Sequence, residues 1–201
     1  MKFLTAFLLA CILIAPAAYA APPVGQPAPD FTASDINGQP FKLSDQKGKI
    51  VVLEWTNHEC PFVHKHYDSG NMQNLQKDAG AHGVVWVSIV SSAPGHQGNV
   101  TPEEAKKIMT GSGAAPAYKI LDPSGEIGHL YDAKTTPNMY VIDKDGLLVY
   151  EGAIDDQPSP NPKTLEGARN YVTAALDSLM KGEKIETPVT QPYGCAVKYE
   201  N

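Results

Sequence analysis

Apolar and polar positions along this 201-residue chain follow two rhythms, and each predicts an element. Residues 49–55 (KIVVLEW) and 84–90 (VVWVSIV) are nearly continuous apolar runs of strand length, the pattern of central strands covered on both faces. Between them Met72, Leu75 and Ala79 recur at helical spacing before Gly80 and Gly83, so the unit reads strand, helix, strand and implies a parallel pair. Residues 30–35 and 39–43 flank Asn37-Gly38, the signal of a tight hairpin. Thr101-Pro102-Glu103-Glu104 supplies an N-cap hydroxyl, a proline at the first helical position and a glutamate at the third, predicting a helix that ends near Gly111. Residues 117–121 read as a short strand and 127–131 as a helical turn. Strands at 138–142 and 147–150 are joined by Asp143-Lys144-Asp145-Gly146. Leu165, Ala168, Val172, Ala175, Leu176 and Leu179 then make one apolar stripe of a long helix closed by Gly182. The tail that follows carries Pro188 and Pro192, which break regular structure, and Cys195. The order predicts an α/β fold: a mixed central sheet with helices on both faces, opened by an N-terminal β-hairpin.

The first 20 residues change the picture of where the chain works. Lys2 precedes an apolar run over residues 3–14, followed by Pro16 and the small-residue site Ala18-Tyr19-Ala20. This is the pattern of a secretory signal peptide cut near Ala20, and it predicts export to a periplasmic or extracellular space. A rival reading takes Leu8-Leu9-Ala10-Cys11 as a lipoprotein site, although Cys11 sits inside the apolar run and not after it. The organisation expected is a leader (1–20), one compact domain (21–182) and a tail (183–201). Sixteen basic residues against 22 acidic ones give a net charge of −6, and loss of Lys2 makes it more negative. With no basic block, nucleic acid and anionic membrane surfaces are poor partners. Loss of Cys11 leaves two cysteines, Cys60 and Cys195, in a disulfide-permissive setting.

Cys60 directly precedes a helix whose first residue is expected to be Pro61. Unpaired N–H groups and the positive end of the helix dipole stabilise a thiolate there, and the thiolate is the nucleophile in sulfur exchange. The bland alternative is a buried thiol acting as a small apolar residue. Val63 stands where many redox proteins carry a second cysteine.

The element order, with a cysteine at the mouth of the first strand-to-helix turn, resembles the thioredoxin fold. VGQPAPDFTASDINGQPFKLSD followed by KGKIVVLEW is similar to the opening of the redoxins of the alkyl hydroperoxide reductase and thiol-specific antioxidant superfamily. NHECPFVHKHY, TTPNMYVIDKDGLLVYEGAIDD and the terminal PYGCAVKY resemble a peroxiredoxin-like subgroup. The resemblance implies a cis Thr136-Pro137 bond lying against Cys60, with the Thr136 backbone able to pair with an incoming extended peptide. It also implies that Cys195, in Gly194-Cys195-Ala196-Val197-Lys198, is the companion of Cys60 and attacks it once oxidised. The alternative is a permanent staple, which would close a loop of about 136 residues and stabilise the fold by about 5 kcal/mol.

Three activities stay open at the level of sequence. Thiol-disulfide exchange, the first reading, asks for a reactive thiol, a second thiol and a peptide-binding edge. Peroxide reduction is the second. The superfamily's peroxidases place a threonine or serine three residues before the cysteine, a proline seven before, and an arginine beside it; here those positions hold Asn57 and Leu53, and Arg169 is the sole arginine. Asn57 and Lys65 are the available substitutes for a hydrogen bond and a positive charge. The third reading is a copper carrier using Cys60 with His58, His64 and His66, against which His64 and His66 face different ways on a helix. Trp55 is expected to pack at the end of its strand with a secondary role over Cys60, and Trp86 to belong to the core. Glu59, or else Glu54, is a candidate proton acceptor, while Glu151, Asp155 and Asp156 read as turn and surface residues. No organic cofactor or resident metal is implied. The expected partners are a thiol or disulfide protein, a small redox molecule or a peroxide, and oligomeric state is left open.

Overall fold

The structure is a computed structural model and describes residues 21–200, so the signal-peptide and Cys11 readings lie outside the described residues. The chain opens with β1 (Thr32–Ser34) and β2 (Pro40–Lys42), the antiparallel hairpin expected around Asn37-Gly38. Asp35 holds that turn by accepting the N–H groups of Asn37 and Gln39, each at 2.8 Å, while Gly38 takes a left-handed conformation. There follow β3 (Val51–Trp55), α1 (Pro61–Asp68), α2 (Asn71–Ala81), β4 (Val85–Val90), α3 (Pro102–Ser112), β5 (Tyr118–Leu121), α4 (Glu126–Leu130), β6 (Thr135–Thr136), β7 (Asn138–Ile142), β8 (Leu148–Gly152), α5 (Tyr171–Lys181) and β9 (Cys195–Ala196).

Strands β5-β4-β3-β7-β8 make the central sheet, with β3, β4 and β5 parallel and β7 and β8 antiparallel. This is the thioredoxin-like mixed sheet. The continuous apolar runs have a simple cause, because alternate residues of each strand enter two different cores. Val51, Leu53, Trp55, Val87 and Ile89 meet Tyr131 and Tyr140 on one face. Val52, Trp86, Met139 and Val141 meet Met72 of α2 and Val172 of α5 on the other. Each such fully buried aliphatic side chain contributes about 1.5–3 kcal/mol.

Three departures from the sequence pattern bear on the site. The helix after β3 is two helices, broken where Gly70 takes a left-handed conformation and starts α2. The long last helix is shorter than its apolar stripe: Leu165 lies in a 3₁₀ turn, and α5 begins only at Tyr171, where Asn170 caps the Thr173 N–H at 2.9 Å. The tail is not structureless. Val189 bridges Glu151, and β9 pairs antiparallel with β6, Thr135 opposite Ala196 and Thr136 opposite Cys195.

Candidate active site

Cys60 owes its position to the turn ahead of α1. Asn57 Oδ1 accepts the Glu59 N–H at 2.9 Å and its carbonyl accepts the Cys60 N–H at 3.0 Å, so the chain leaves β3 and re-enters helix within four residues. Cys60 is the N-cap, extended at φ −83° and ψ 124°, and Pro61 opens the helix with a ring that needs no N–H partner. The Cys60 carbonyl accepts from Val63 and His64, both at 2.9 Å. Its side chain is fully buried.

The Thr136-Pro137 bond is cis, and the Cys60 thiol donates to the Thr136 carbonyl at 3.1 Å. Cys195 sits directly across β6–β9 from that same Thr136, so the two cysteines meet at one residue. Gly194 makes this approach feasible: it adopts φ +138°, and a Cβ there would collide with the Thr136 carbonyl oxygen. Both cysteines are free thiols, and they are chemically unequal. Burial pushes the Cys60 thiol up, but hydrogen bonds from the Cys195 and Thr136 side chains and from the backbone of Cys195 and Val63 outweigh it and hold Cys60 below its usual value. Burial, then the hydrogen bond and charge of Cys60, push Cys195 up to about 11. Of the two thiols, Cys60 is the one that gives up its proton more readily. The Thr136 hydroxyl is buried with no other hydrogen-bond partner, free to serve a sulfur anion.

Two tyrosines pin the tail on either side of Cys195. Tyr193 packs edge-on against Phe62 at 5.8 Å, and its hydroxyl donates to Asp155. Lys65 donates to the same carboxylate at 3.1 Å, to the Gln157 carbonyl at 2.8 Å and to the Tyr193 oxygen at 3.2 Å. Farther on, the Tyr199 hydroxyl donates to the Ala133 carbonyl at 2.7 Å while its ring stacks on His129 at 4.0 Å. Asp155 is thus a buried ion-pair partner and not the surface residue its sequence setting suggests. Lys65, equally buried, is committed to that pair.

The remaining sequence candidates fall in different places. Trp55 is fully buried, its indole N–H donating to Ser91 at 3.0 Å and its ring packed on Tyr131 and Tyr140. Asn57 is buried, with its amide donating to Gln97 at 3.3 Å. Glu59 is exposed and its carboxylate accepts the Gly98 N–H at 2.6 Å. Glu54 is fully buried and accepts from Tyr67, Gln76, Trp86 and Ser88. Arg169 pairs with Glu186 at 3.2 Å, among residues of α5 and the tail that follows it. The histidines diverge: His64 pairs with Asp68, while buried His66 accepts from the Asn71 amide at 2.9 Å. Among the described residues no three His, Cys, Asp or Glu side chains are grouped to hold a metal ion. Sequence reasoning missed Tyr193 and the depth of Asp155, whose sole signal was proximity in the chain to Cys195 and to the β8 end.

A buried helix-mouth thiol, a cis-proline and a second thiol define a thiol-dependent oxidoreductase of thioredoxin-like fold. The AhpC/TSA family matches residues 24–151, and the chain belongs to it. It is 28% identical to glutathione peroxidase 7 of Bos taurus over 193 residues, covering 85% of this chain and 92% of that protein. It is 26% identical over 128 residues to the thiol-disulfide oxidoreductase ResA of Bacillus thuringiensis, covering 64% and 68%. Among solved structures, an uncharacterized conserved protein from Geobacillus kaustophilus matches with a TM-score of 0.75 and 30% identity over 89% of this chain and 93% of that one.

Proposed function

We propose that this protein is an exported thiol-disulfide oxidoreductase in which Cys60 attacks and Cys195 resolves. The observation that carries the reading is the pairing of Cys195 with Thr136, which brings the second sulfur to the first along the edge where a peptide would otherwise dock. The Cys60 thiolate attacks one sulfur of a substrate disulfide, forming a mixed disulfide and releasing the other sulfur as a thiolate. With Cys60 no longer charged, its part in raising Cys195 is gone while that of burial remains, and Cys195 loses its proton more readily than before. It then attacks the Cys60 sulfur, closes the Cys60–Cys195 disulfide and releases the substrate thiolate. The substrate is reduced by two electrons, and an external dithiol returns the protein to its reduced state.

The covered edge makes the tail part of the cycle. Cys60 is 0% exposed with the tail docked, so a bulky disulfide reaches it only when β9 lifts. Thr136, Pro137 and the Asn57 turn then form the wall of the opened site. The similarity to ResA supports this activity, and the leader-like residues 1–20 support export, after which the domain (21–182) and tail (183–201) remain.

Reduction of a small peroxide by the same pair is the second reading, favoured by similarity to bovine glutathione peroxidase 7 and by the free Thr136 hydroxyl beside the thiolate. There Cys60 takes one peroxide oxygen as a sulfenic acid, the remaining alkoxide or hydroxide is protonated, and Cys195 displaces water to form the disulfide. Treating Cys195→Ser with oxidised glutathione tests the first reading. A glutathione adduct accumulating on Cys60 of the variant, with an intramolecular disulfide in the native protein, supports it. Inert thiols toward oxidised glutathione, with rapid turnover of hydrogen peroxide, overturn it in favour of the second.

A further inference from the structure

On the helical side of the sheet, away from the tail, lies a cavity of about 230 Å³ that the thiol chemistry does not use. It forms because α3 stands off from the sheet and from α1, burying only Ala105. Its walls are Val63 of α1, Val90 of β4, Ala105, Ile108 and Met109 of α3, and Pro116. Beneath them β4 and β5 run in register, with Ser88 beside Lys119, and both side chains line the cavity.

Lys119 is the anomaly. A lysine projecting from a sheet into an apolar cavity exchanges water for hydrocarbon, which is unfavourable unless a partner meets the ammonium. Fully buried Lys65 has Asp155, Gln157 and Tyr193 around it, whereas Lys119 is half-buried. Among the described residues Lys119 makes no hydrogen bond and no ion pair through its ammonium. The nearest buried anion, Glu54, is already supplied with donors by Tyr67, Gln76, Trp86 and Ser88. Burial accordingly pushes the Lys119 amine down to about 8, with Glu54 opposing the shift. The Ser88 hydroxyl and the Tyr67 hydroxyl are turned to Glu54, so the charged donor left on the cavity floor is the ammonium of Lys119. Of the other polar liners, His64 and Asp68 are paired with each other at the exposed end, the Ser112 hydroxyl donates to the Met109 carbonyl, and Thr56 and the half-buried His58 ring carry no charge partner there among the described residues.

We propose that this cavity binds an apolar monocarboxylate of medium chain length, its tail against α1 and α3 and its carboxylate on Lys119. The apolar walls select the tail, the cavity volume limits its length, and the unpartnered ammonium selects an anionic acceptor over a neutral head. Val63 and Thr56 line the cavity and flank the turn that carries Cys60, so a bound ligand packs against the scaffold of the thiol without reaching it.

Calorimetric titration of the leaderless protein with octanoate, alongside 1-octanol as the neutral chain of equal length, tests the assignment. Saturable one-to-one binding of octanoate is expected, with octanol weaker by about tenfold or more. Lys119→Met, which keeps the bulk of the side chain and removes the charge, should weaken octanoate by at least about tenfold and leave octanol unchanged. Ile108→Trp, which fills the cavity from α3, should remove both. Absence of saturable octanoate binding to the native protein overturns the proposal, as does octanol binding as tightly as octanoate, or unaltered octanoate affinity in either variant.

Discussion

The Tyr193 hydroxyl donates to the Asp155 carboxylate, and this contact fixes the tail two residues ahead of Cys195. Asp155 in turn is held by Lys65, one turn into the helix that Cys60 caps. Cys60, Cys195 and the loop after β8 are therefore tied through one buried polar cluster. Its members are 90 and 128 positions apart, counted from Lys65.

Removing the charge of Asp155 isolates Lys65. Asp155→Asn should cost about 3–5 kcal/mol in urea unfolding, because a buried ammonium loses its counter-charge. Lys65→Met combined with Asp155→Leu should recover most of that loss. Equal stability of the single variant and the native protein would show that the pair is not a buried ion pair in solution.

Docking of the tail depends on Gly194. Gly194→Ala places a methyl group against the Thr136 carbonyl at a backbone φ that alanine resists, so β9 should lift while the sheet stays intact. Acid-quenched mass spectrometry after oxidised glutathione should find the Cys60 adduct persisting and the internal disulfide forming about tenfold more slowly. Disulfide closure at the native rate would mean that the observed pairing with β6 is not needed for resolution.

Thr136→Val separates acidity from stability. The native protein should show alkylation of Cys60 by iodoacetamide with a midpoint below that of an ordinary thiol in the same protein's unfolded chain. Loss of the hydroxyl should move that midpoint upward, since the Thr136 side chain helps hold Cys60 low. Stability measured at a pH where Cys60 is still a thiol should not fall, because the hydroxyl is then buried with no partner. An unmoved midpoint removes Thr136 from the list of groups that serve the thiolate.

His66 makes the fold sensitive to mild acid. Burial, with Lys65 adding to it and Asp155 opposing, pushes its imidazole down to about 4. The unfolded chain takes up that proton near pH 6.5, while the native state refuses it until about 4. Unfolding free energy should therefore fall as pH drops through this window, by about 3 kcal/mol in total. His66→Gln should flatten the profile over the same range, as read by chemical denaturation at stepped pH.

Much of the fold was legible in the chain. The β7 strand over residues 138–142 and the capping box at Thr101 and Glu104 appear where the pattern puts them, because both depend on residues within a few positions of each other. The stripe that ran from Leu165 misled for the same reason. Periodicity reports which residues could share a helical face, but the chain from Glu166 to Asn170 turns back toward Asp156 instead, through the Arg169 N–H donating to the Asp156 carboxylate at 3.1 Å. Of the site, Cys60 at a helix mouth could be read locally, whereas the burial of Asp155 could not.

By itself the sequence determined the central strands, the helix capped by Thr101, the cysteine ahead of Pro61 and the presence of one other cysteine near the end. Tertiary structure alone decided that Cys195 lies across from Thr136, that Lys65 is neutralised by Asp155, and that Lys119 faces an open cavity. Local conformation follows from sterics and hydrogen bonds between near neighbours, which a linear string records. Which thiol loses its proton, and which lysine finds a carboxylate, depends on burial and on charges delivered from distant segments, and those exist only once the chain has closed on itself.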